Sequence, residues 1–82
     1  MAETFYRIGD AVVYLREKSK SPNKRQFAFS AGISERELID LEFAKELKSD
    51  NPALKKILKA CNLSWEAFEE LFKKHQRSNN LQ

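Results

Sequence analysis

Between Arg16 and Arg25 the chain carries five basic side chains, Arg16, Lys18, Lys20, Lys24 and Arg25, against one acid, Glu17. The segment Lys20-Ser21-Pro22 reads as a break followed by a helix start, with Ser21 as N-cap and Pro22 at the first helical position, where its missing N–H costs nothing. Asn23, Lys24 and Arg25 then occupy the positive end of that helix. Free amides, the helix dipole and two cations acting together favour an anion there, a phosphate ester included. Between Glu35 and Glu46 the sign reverses, with Glu35, Glu37, Asp40, Glu42 and Glu46 set against Arg36 and Lys45. The net charge of +3 is too small to argue for an anionic partner by itself, so the information lies in this distribution.

Other chemistry is thinly represented. Cys61 stands alone, which rules out an internal disulfide, and no Cys/His cluster has metal-ligand spacing; the thiol is expected to be a small buried hydrophobe. His75 falls in a polar stretch with no second ligand or base nearby and is expected to be solvated. There is no phosphate-cradling glycine loop and no nucleophile with a base in reach. An enzyme, a metal and a cofactor are therefore not expected. No apolar run approaches the roughly 20 residues of a membrane span, and the N-terminus lacks the layout of a signal peptide, so a cytoplasmic protein without a membrane partner is expected.

The elements that would position these charges are organised around residues 24–43. Gly32 ends one apolar-spaced segment and suits the left-handed residue just past a helix. Ser34 with Glu37 spells a capping box, so a second helix starts immediately after the turn. Phe27, Ala31, Leu38 and Leu41 fall on the inner side of two steeply crossed helices, Ala28 is small where their backbones would approach, and Ile33 is the apolar residue of the turn.

Outward from this pair, Ile8, Val12 and Leu15 share one helix face from about Ile8 to Ser19, and Phe5 extends the stripe; residues 1–7 are expected to form a loose N-terminal arm. Phe29 either fills a side pocket under the basic turn or helps form an apolar contact patch, and side packing is the expectation preferred. Helix 3 is expected from Ser34 to about Phe43, and the stretch after Glu42 either continues it, with Leu47 joining Phe43, or forms a longer loop. Asn51-Pro52 restarts the chain, and Leu54, Ile57, Leu58 and Cys61 follow at one-faced helical spacing. Ser64 caps a last helix whose apolar side is Trp65, Phe68, Leu71 and Phe72. Residues 73–82 lose periodicity and read as a basic flexible tail.

Taken in order, Ile8-Gly9-Asp10, Leu15-Arg16-Glu17, Gly32-Ile33-Ser34 and Asn51-Pro52 through Phe72 resemble the lambda-repressor-like (Xre/Cro-type) family of helix-turn-helix domains over roughly residues 8–72. The resemblance implies an all-α, compact five-helix domain and a sequence-specific DNA-binding transcriptional regulator, a repressor of phage, plasmid or toxin-antitoxin type. It implies that Glu35, Arg36, Ile39 and Asp40 read bases of double-stranded DNA, with Arg36 suited to guanine. It further implies that Asn23, Lys24, Arg25 and Asn51 contact phosphates, and that Arg16, Ala28, Gly32, Ser34, Glu37 and Glu42 are structural, Glu42 pairing with Arg16. A homodimer would follow, with Trp65 and Phe72 as dimer contacts on helix 5.

Three features support a different expectation. The link after Glu42 is longer than usual in the family, the presumed reading helix is acidic, and Phe29 looks exposed at a position the family usually leaves polar. A protein-interaction module, an antirepressor or partner-binding domain engaging through helix 3 or helix 5, is the alternative that these features favour.

Overall fold

The computed structural model describes residues 5–75. Five helices follow in order: α1 (Ile8–Glu17), α2 (Lys24–Ala31), α3 (Glu35–Glu42), α4 (Pro52–Ala60) and α5 (Trp65–His75), with no strand among the described residues. The all-α expectation holds. α3 packs against α1, α2 and α4, while α5 closes the far side of α1. Val12, Leu38, Leu54, Ile57 and Phe68 are the largest fully buried side chains, each contributing about 1.5–3 kcal/mol of apolar burial.

The inner residues expected of α2 and α3, Phe27, Ala31, Leu38 and Leu41, are all buried, as are Ala28 at the close approach and Ile33 in the turn between the helices. Gly32 joins the two helices at φ 81°, and the Ile33 N–H returns 3.0 Å to the Ala28 carbonyl. That hydrogen bond needs the left-handed residue between the two helices, which glycine adopts without a Cβ clash. The α4 end repeats the device with asparagine: Asn62 lies at φ 60°, and the Leu63 N–H donates 2.8 Å to the Leu58 carbonyl.

Gly9 serves a different purpose. A Cβ built there would lie 2.4 Å from the Glu42 carbonyl oxygen and 2.6 Å from that of Leu41, so only glycine lets α1 lie on the C-terminal end of α3. The Gly9 N–H also donates 3.0 Å to the Ala44 carbonyl. A continuing helix would commit that carbonyl to the Lys48 amide instead. α3 ends at Glu42 with Phe43 as its C-cap, as the expected end near Phe43 has it; of the two forms open to the longer link the loop is the one found, and Leu47 reaches the core edge from it.

The start of α2 also differs from expectation. Asn23 caps it in place of Ser21, accepting at Oδ1 from the amides of Arg25 (2.9 Å) and Gln26 (3.2 Å). Pro22 stays outside the helix, its carbonyl taken by the Arg16 guanidinium.

Residues 5–7 are not a loose arm. Phe5 is 2% exposed, edge-on to Tyr14 and stacked on Phe72, and its N–H donates 2.9 Å to the His75 carbonyl. His75 is accordingly held rather than solvated, its ring 5.4 Å from Phe5 and 5.9 Å from Tyr14. Residues 73–75 belong to α5; the remainder of the expected arm and tail, 1–4 and 76–82, lies outside the described residues. No helix among the described residues is long and apolar enough to cross a membrane.

Candidate functional site

Of the charged residues singled out in the sequence, Lys24 and Arg25 stand at the start of α2, Glu35, Arg36 and Asp40 are exposed on α3, and the buried carboxylate of Glu42 joins Arg16 to Lys24. Glu42, at the last turn of α3, is 3% exposed. Its Oε2 accepts from Arg16 Nε of α1 at 2.6 Å, and its Oε1 lies 3.6 Å from Lys24 Nζ at the start of α2. One carboxylate therefore clamps three helices, and Arg16 extends the link to the Pro22 carbonyl. No buried side-chain polar atom lacks a hydrogen-bond partner among the described residues. The Arg16–Glu42 pair is as expected; the second cation, Lys24, is an addition.

That addition alters what the start of α2 can offer an anion. Lys24 is partly committed to Glu42, so its ammonium is shared rather than wholly open to an incoming anion. Two of the helix's leading amides are spent on Asn23, and the expectation of free amides there needs correction to that extent. What stays available is Arg25, exposed and in no ion pair with a described residue, together with the amide NH2 of Asn23, since the cap uses only Oδ1. Asn51 is built likewise: Oδ1 accepts from the Leu54 amide at 3.0 Å, leaving its NH2 as a donor.

On α3 the capping box is complete. The Glu37 amide donates 3.0 Å to Ser34 Oγ, and the Ser34 amide donates 2.9 Å to Glu37 Oε1. Glu35, Arg36 and Asp40 are exposed and Ile39 is half-buried beside them. Arg36 Nε lies 3.9 Å from Asp40 Oδ1, one turn on, with the two side chains 85% and 70% exposed, so the pair is weak and screened. Of the four acids on α3, Glu42 is buried against cations and Glu37 is engaged in its cap. Glu35 and Asp40 are left to set the sign of the outer face.

Three aromatic features bear on the surface. Phe29 is 86% exposed, which corrects the expected side packing: the position faces away from the core side of α2, where Phe27, Ala28 and Ala31 lie. Phe43 is 60% exposed, and the Arg7 guanidinium lies 5.4 Å from its ring centroid. Trp65 and Phe72, expected as dimer contacts, are half-buried within their own chain, Trp65 beside Phe68 and Phe72 beneath Phe5.

Two titrations are displaced. Asp10 is partly buried, which acts to raise its pKa, but hydrogen bonds from the amides of Tyr6 and Arg7 and from the Arg7 guanidinium outweigh that and hold it below the ordinary carboxylate value. Burial pushes the Cys61 thiol up. No group of three or more potential metal ligands occurs among the described residues.

No protein-family model, curated protein or solved structure matches the chain.

Proposed function

We propose that the chain is a helix-turn-helix domain of lambda-repressor-like architecture that binds double-stranded DNA and regulates transcription, as a repressor of phage, plasmid or toxin-antitoxin type acting in the cytoplasm. The observation that carries this reading is the Glu42 clamp. It fixes the start of α2, with exposed Arg25, relative to α3, whose exposed N-terminal half bears Arg36. A rigid offset between a phosphate-seeking cation and a reading helix is what groove docking requires.

In this reading Arg25 sets the register on the phosphates, with the NH2 groups of Asn23 and Asn51 and a share of Lys24. Arg36 then forks onto guanine, while Glu35 and Asp40 accept from cytosine amines and Ile39 makes apolar contact. A homodimer presents two such helices about 34 Å apart. Selection from a random duplex pool tests the proposal: it enriches a pair of spaced half-sites, and Arg36→Ala relaxes one position at a cost of about 1–3 kcal/mol. A pool that stays random counts against sequence-specific reading.

A second reading has its own support. Glu35 and Asp40 make the outer face of α3 acidic, and Phe29 and Phe43 are exposed well beyond what the core requires. Those features suit a protein-docking module, an antirepressor or partner-binding domain. It would hold its partner with salt-tolerant apolar contacts rather than released counterions.

A further inference from the structure

An open cavity of about 560 Å³ lies between the C-terminal end of α1, the inner side of α2 and the C-terminal end of α4. Its size falls within the roughly 300–1,000 Å³ of small-molecule sites. Its origin is in the packing: α1 leans on α3 and α5, α2 leans on α3 and α4, and α1 makes little direct contact with α2 or α4. The seam left open has Phe27 and Ala31 as its floor and leaves Leu15, Cys61 and Leu63 only half-buried along its sides.

The rim has one sign of charge. Lys18 and Lys20 line it, and no carboxylate does. Lys18 is partly occupied, its Nζ 5.5 Å from the centroid of Tyr14, whereas Lys20 is exposed and makes no ion pair with a described residue. An apolar floor alone suits a neutral hydrocarbon, and two lysines alone suit any anion. The combination selects a molecule with both parts.

We propose that this groove binds a small amphiphilic anion, a carboxylate on an aliphatic chain, with the chain along Leu15, Phe27, Ala31 and Leu63 and the carboxylate at Lys20. α2 supplies one wall of the groove and carries Arg25 at its start, so occupancy bears on the anion-anchoring end of the same helix. That consequence rests on the DNA-binding reading; the groove itself does not.

Cys61 supplies a direct readout on the full chain. Its alkylation by iodoacetamide is followed by mass spectrometry at about pH 8.5, where a thiol of raised pKa still reacts, with decanoate, decanol or acetate added below micellar concentration. Unchanged circular dichroism shows that the chain stays folded. Decanoate at millimolar concentration slows alkylation about five-fold or more, whereas decanol and acetate slow it less than about two-fold, a difference on the order of 0.5 kcal/mol or more between head group and chain alone. Lys20→Glu, a change at an exposed residue, removes the protection, read as the ratio of that variant's own alkylation rates with and without decanoate. Absence of protection by decanoate overturns the proposal, as does equal protection by decanol or full protection in Lys20→Glu. Because none of these arms contains DNA, their failure is separable from failure of the DNA-binding reading.

Discussion

Glu42 Oε2 accepts a hydrogen bond from Arg16 Nε at 2.6 Å across 26 positions of sequence, with the carboxylate 3% exposed. A buried charge of this kind is stabilising only while its partners remain, because its desolvation is not otherwise offset. Arg16→Met leaves Glu42 with Lys24 alone and destabilises the domain by about 3 kcal/mol. Arg16→Met combined with Glu42→Leu recovers much of that loss, since the orphaned charge is gone. Urea unfolding of the two single variants and the double variant measures the coupling.

The two glycines fail in different ways when replaced by alanine. At Gly9 the new methyl meets backbone carbonyl oxygens at 2.4 and 2.6 Å, which cannot move without shifting the end of α3. At Gly32 nothing lies within 4 Å, and the cost comes from φ 81° alone. Gly32→Ala therefore costs about 1 kcal/mol, and Gly9→Ala costs more, about 2–3 kcal/mol, by overpacking. Thermal unfolding midpoints rank the pair.

Asn62 holds a left-handed conformation with a side chain, the same role that Gly32 fills without one. Asn62→Gly raises stability by about 0.5 kcal/mol, and Asn62→Ala lowers it by about 1 kcal/mol. The midpoint of thermal unfolding moves up in the first variant and down in the second.

Asp10 ties the segment before α1 to the helix through the amides of Tyr6 and Arg7. Its folded pKa is lowered, so the unfolded chain binds more protons than the folded one as the pH drops. The contribution is complete above the ordinary carboxylate value of about 4 and is lost as pH falls through the lower folded value. The stability difference between the parent chain and Asp10→Asn is accordingly flat from neutral pH to about pH 5 and shrinks below about pH 4. Chemical denaturation at a series of pH values follows it.

Much of this architecture is legible in the residues. Gly32, the Ser34–Glu37 box, the Asn51 cap and the apolar spacing of Leu54, Ile57 and Leu58 are local signals, and local hydrogen bonds bear them out. Most of the rest is non-local. Asn23 displaces Ser21 as the cap because Arg16, from another helix, takes the Pro22 carbonyl. The link after Glu42 forms a loop because Gly9, from α1, claims the Ala44 carbonyl. Phe5 belongs to the apolar stripe of α1, but its burial depends on α5 reaching His75, in a stretch whose periodicity is weak. At the candidate site, Arg16 with Glu42 was readable through the family likeness. The exposure of Phe29 follows from the spacing of Phe27, Ala28 and Ala31, which puts it on the other side of α2, whereas the sharing of Lys24 depends on helix orientation, which spacing alone does not give.

The most direct test of the central claim is a fluorescence anisotropy titration of the chain against mixed-sequence duplex DNA at about 20 and about 200 mM salt, repeated with Arg25→Ala. The expected outcome is binding that weakens steeply with salt, with the log–log slope reduced by about 1 in Arg25→Ala. Absence of binding at about 20 mM salt would contradict it and leave the acidic face of α3 as a protein-docking surface.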